Sequence, residues 1–92
     1  MATNDTDMLR EQIETIDEQI IDLIATRLEI ADELAKAKKS SSQEYWDEKK
    51  VNEVIKRYQK LCKEVNITSD EARQIAEMLL KISKERQWHY FE

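Results

Sequence analysis

Arg27 interrupts a run of apolar residues. Leu9, Ile13, Ile16, Ile20, Leu23, Ile30 and Leu34 follow one another in steps of three, four and seven, and the rhythm calls for an apolar residue at position 27. A cation on an apolar face is costly unless something pairs with it. Lys38 comes eleven positions later, three turns and about 20° of rotation on, so it looks over the same face. Ser83 and Gln87 repeat the departure on another stripe, Ala72, Ala76 and Leu79, at the spacing where Leu or Ile would pack. On a third stripe, stepping back from Val54 and Val51 reaches Lys50 and Asp47. All three faces therefore point polar groups inward: cations, a hydroxyl and an amide, with no nucleophile beside a base. That inventory fits an anion held by charge and hydrogen bonds in a helical bundle.

The surroundings sharpen the point. The chain carries a net charge of −5, and its first 35 residues hold ten acids against two bases, Arg10 and Arg27. No basic face exists to bind nucleic acid or an anionic membrane, so an anion has to be met locally. His89 is the only histidine and sits in the tail WHYFE, where a packed or fraying helix end explains it. Cys62 occupies an apolar position and reads as a small core residue, and Trp46 and Trp88 read as packing residues. None of these four is assigned to the site.

The elements that must position these groups follow from periodicity. The chain has 92 residues with no glycine and no proline, which excludes glycine phosphate loops and speaks against most β architectures. Three amphipathic stripes predict one all-α domain over residues 1–92. Helix one spans about 5–39, a loop 40–45, helix two about 46–65, closed near Asn66, and helix three about 69–90. Asn4 to Asp7 supply an N-terminal cap for helix one, and Thr68 with Glu71 forms a capping-box pattern for helix three. With 40% hydrophobic and 38% charged residues, no window supports a membrane span. The lone cysteine and an opening, MATNDTDMLR, without a basic region before an apolar stretch point to the cytoplasm.

A first helix of about 33 residues is roughly 50 Å long, whereas a compact chain of this size has a radius of gyration near 12 Å. Its stripe runs the whole length, so the half that the other helices cannot cover needs a second chain. An intertwined homodimer is expected, against the alternative of a two-stranded coiled coil with a tail. Arg10 lies roughly 42 Å from Lys38 along the helix. In an antiparallel pairing that crosses near Ile20 to Leu23 it falls opposite the 27–38 region of the other chain, which makes two composite sites.

These residues resemble the all-helical class of chorismate mutase over nearly the whole chain. The resemblance rests on LREQIETID with Arg10, TRLEIADELAKAK with Arg27 and Lys38, DEKK with Asp47, and SKERQ with Ser83 and Gln87. It implies three-helix chains in intertwined dimers and the Claisen rearrangement of chorismate to prephenate on the way to Phe and Tyr, without metal or cofactor. Arg27 and the partner's Arg10 would hold the carboxylates, with help from Ser83. Lys38 and Gln87 would donate to the ether oxygen, and Asp47 would meet the ring hydroxyl. Two positions depart from the family pattern: Lys50 replaces an arginine, and Val51 replaces a Glu or Gln that could accept from that hydroxyl. An isochorismate pyruvate-lyase of the same fold and a non-catalytic helical dimerisation or regulatory module are the alternatives.

Overall fold

The computed structural model describes residues 4–92, which form three α-helices and, among the described residues, no strand: α1 (Asp5–Ser40), α2 (Glu48–Lys63) and α3 (Ser69–Trp88). Each helix starts where a side chain can satisfy its free N–H groups. Asn4 Oδ1 accepts from the Thr6 N–H at 2.7 Å at the head of α1. Asp47 Oδ1 accepts from the Lys49 N–H at 2.9 Å, so α2 begins at Glu48, two residues later than periodicity places it. At α3, Thr68 Oγ1 accepts from the Glu71 N–H at 3.1 Å while Glu71 Oε1 accepts from the Thr68 N–H at 2.9 Å. With no glycine available, the left-handed turn positions fall to Ser42 (φ 59°) and Asn66 (φ 61°). Asn66 ends the α2 turn, where the Val65 and Ile67 N–H groups both donate to the Cys62 carbonyl at 3.0 Å.

Helix α3 is central. It contacts α1 on one side and α2 on the other, while α1 and α2 do not approach each other. Fully buried Ala35, Ala72 and Ala76 carry no bulk beyond Cβ, which lets the helices pack closely. Ile55, Ala76 and Leu80 form the core between α2 and α3, with Trp46, Val51, Val54 and Tyr58 packed against it. The gap left between α1 and α2, floored by α3, is where the inward polar groups meet.

The long helix overshoots. It has 36 residues, about 54 Å at 1.5 Å per residue, and the molecule measures 63 × 24 × 16 Å with a radius of gyration of 17.3 Å. Partial burial along α1 begins at Ile24, and full burial only at Ala31. Leu9, Ile13, Ile16, Ile20 and Leu23 remain 47–71% exposed in the single chain.

Candidate active site

A groove of about 290 Å³ lies between α1 and α2. Helix α1 contributes Arg27, Ile30, Ala31, Leu34 and Lys38, α2 contributes Lys50, Val51 and Val54, and α3 contributes Leu80, Ser83 and Gln87, with Trp46 and Asp47 from the junction before α2. Three cations thus face one carboxylate, a local excess of positive charge in a chain whose net charge is −5.

The two inward polar residues of α3 are almost completely buried, Ser83 and Gln87 at 3% exposure each, and each is matched by a cation from α1. Arg27 Nη1 donates to Ser83 Oγ at 2.9 Å. Lys38 Nζ donates to Gln87 Oε1 at 2.9 Å and to the Tyr45 carbonyl at 3.1 Å. Because an ammonium group only donates, Gln87 has to turn its oxygen toward Lys38, which directs its NH₂ group elsewhere. Ser83 spends a lone pair on Arg27 and keeps its own proton. These pairings leave the remaining guanidinium N–H groups, the Ser83 hydroxyl proton, the third Lys38 N–H and the Gln87 NH₂ group unspent, all donors. No buried side-chain polar atom among the described residues lacks a partner. Burial, only partly offset by Asp47, holds the Lys38 ammonium below the ordinary lysine range.

The other candidates are placed less deeply. Asp47 lines the groove but already caps α2. Lys50 sits on the rim and pairs with Glu53 at 3.6 Å. Val51 is a half-buried part of the wall and offers no acceptor. Arg10 does not join them within the chain: it is exposed, 3.9 Å from Asp7, and about 25 Å along α1 from Arg27. His89 is on the surface 3.5 Å from Glu92, and Cys62 lies half-buried outside the groove.

Trp46 packs on the core, as expected, and it also walls the groove, with Lys38 Nζ 5.8 Å from its ring centroid. The Tyr45 carbonyl that receives Lys38 is invisible in the sequence, since every residue has one. The one available signal is adjacency: Trp46 directly precedes the Asp47 cap.

Comparison with known proteins places this arrangement. Residues 9–88 match the family described as Chorismate mutase type II. A chorismate mutase of Methanocaldococcus jannaschii is 31% identical over 84 residues, which cover 91% of this chain and 85% of that protein. A solved structure of a conserved hypothetical protein from Pyrococcus furiosus superposes with a TM-score of 0.74 at 35% identity, covering 94% of this chain and 99% of the other. The family match spans all three helices and every groove residue named above, so the chain belongs to the type II chorismate mutase family and is an isomerase of that class.

Proposed function

We propose that the groove binds chorismate and accelerates its intramolecular Claisen rearrangement to prephenate, in the cytoplasm, on the route to Phe and Tyr. The observation that carries this reading is the donor inventory: Arg27–Ser83 and Lys38–Gln87, two charge-assisted pairs on an otherwise largely apolar surface, with no nucleophile and no base beside one. A pericyclic step needs neither. One C–O bond breaks as one C–C bond forms within the same molecule, so the protein has only to hold a compact conformer and place donors where negative charge grows. Arg27 and Ser83 hold a carboxylate. Lys38 and Gln87 lie next along the groove and donate to the ether oxygen, and no metal or cofactor takes part. Asp47, whose second carboxylate oxygen is not engaged in the cap, accepts from the ring hydroxyl, while Lys50 adds charge at the rim.

The second carboxylate calls for a further cation, and in this reading it is Arg10 of the partner. Two copies of α1 crossing antiparallel near Ile20 to Leu23 cover the exposed stripe and bring the partner's Arg10 opposite the 27–38 region. The groove wall left open at Ile30 and Leu34, 64% and 49% exposed in the single chain, is the side on which that helix would lie.

The test is loss of the chorismate enediene ultraviolet absorbance when purified protein is added, with prephenate as the product. Pyruvate released from isochorismate would make the chain a lyase of the same fold. No turnover of either compound would make it a non-catalytic helical module.

A further inference from the structure

Lys38 has three N–H donors, and two are spent before any ligand arrives, on Gln87 Oε1 and on the Tyr45 carbonyl. A tetrahedral ammonium fixed through two bonds has its third N–H fixed as well. Gln87 belongs to α3, but the Tyr45 carbonyl and the aromatic ring beside Lys38 come from a short segment outside the helices. Tyr45 and Trp46 lie between α1 and α2, and neither is held by a helical ladder. Tyr45 is instead clamped by aromatic contacts. Its ring centroid lies 5.3 Å from that of Trp88, at the end of α3, and 5.7 Å from that of Phe91, in the tail. Trp46 packs on the core and receives two ammonium groups over its ring, Lys38 at 5.8 Å and Lys84 at 5.6 Å, both within the range of cation–π attraction.

We infer that Trp46 is a positioning residue for Lys38: its ring face and the Tyr45 carbonyl, clamped by Trp88 and Phe91, aim the one remaining Lys38 N–H at the ligand. This rests on the proposed function for what the ligand is, but not for the positioning itself. The charged groups around Lys38 are Asp47 at the junction and Lys50 on α2, with Lys84 of α3 over the same ring. None of them is removed by changes at Trp46 or Phe91.

The experiment compares Trp46→Phe and Trp46→Leu, which keep an apolar side chain while only the first keeps a π face, and Phe91→Ala, which loosens the Tyr45 clamp from outside the core. The titration of Lys38, followed through its Cε resonance in ligand-free protein, reads positioning without any substrate. Losing the π face disfavours the ammonium form, so Trp46→Leu should titrate lower than wild type by about half a unit or more. Trp46→Phe should stay close to wild type, and Phe91→Ala should move in the direction of the Leu variant by less. In chorismate turnover the Leu variant should lose roughly 5- to 30-fold in kcat with little change in KM, and the Phe variant should recover most of it. An unchanged or raised Lys38 titration in folded Trp46→Leu overturns the inference, as does a Phe variant shifted as far as the Leu variant. Should Trp46→Leu fail to fold, an unchanged titration in Phe91→Ala overturns it instead. Failure of the proposed activity alone leaves the titration differences in place, so the two results are distinguishable.

Discussion

At the scale of single residues, the groove separates side chains paired with buried partners from side chains that merely line it. Arg27 and Lys38 each donate to a buried partner on α3 while keeping donors in hand, so each should matter far more than Lys50, which is exposed on the rim and already paired with Glu53. Arg27→Ala and Lys38→Ala should each reduce turnover of chorismate by about 30- to 1000-fold, corresponding to roughly 2–4 kcal/mol of transition-state stabilisation, with helix content unchanged by circular dichroism. Near-normal turnover in a folded variant would remove that residue from the site. If Lys38 donates to the substrate as proposed, it also sets a pH limit. Burial lowers its pKa, and deprotonation removes its charge and its third N–H, so kcat/KM should fall as pH rises through a value below the ordinary lysine pKa of about 10.4. Any activity that survives Lys38→Arg should lose this alkaline limb, because a guanidinium does not titrate in that range. An identical limb in the Arg variant would assign the titration to another group.

At the scale of elements, the caps decide where the site groups sit. The Thr68–Glu71 capping box starts α3, the helix that carries Ser83 and Gln87. Thr68→Ala should cost about 1 kcal/mol, lowering the thermal midpoint by about 4–8 °C at fixed protein concentration. The Thr68 backbone N–H, and after it the Thr68 hydroxyl, hold the Glu71 carboxyl below its ordinary range. Its contribution is therefore present above the unfolded carboxyl value and is lost as pH falls through the depressed one. The stability gap between wild type and Glu71→Gln should accordingly close in acid. The helices and the α3 cap were legible because they rest on periodicity and on local pairs three residues apart. Arg27 was legible for the same reason, as an exception inside a rhythm. The place of Trp46 on the groove was not, since a single aromatic between two helices has no period to break, and its contact with Lys38 joins α1 to the connecting segment. The start of α2 was placed two residues early because the apolar stripe does not reveal that Asp47 serves as the cap.

At the scale of the whole molecule, the single chain leaves an apolar face uncovered. The first half of α1 exposes a continuous apolar stripe, and Arg10 stands far from the groove. If each site combines Arg27 of one chain with Arg10 of the other, an Arg10→Ala dimer and an Arg27→Ala dimer are both inactive, yet a mixed dimer gathers both defects into one groove and leaves the other intact. Co-refolded mixtures should then recover up to about a quarter of wild-type activity, since half the dimers are mixed and each has one sound site. Mixtures no more active than the separate variants would place Arg10 outside the site.

The unpartnered length of α1 also governs how the chain returns from denaturant. Without proline there is no prolyl bond to isomerise, and the slow phase of tens of seconds that such bonds impose on many proteins should be missing. Helical segments form in about a microsecond, so if a second copy covers this face, the meeting of two chains is the slow event. On the proposed dimer, refolding should then be second order, its half-time halving each time the protein concentration is doubled.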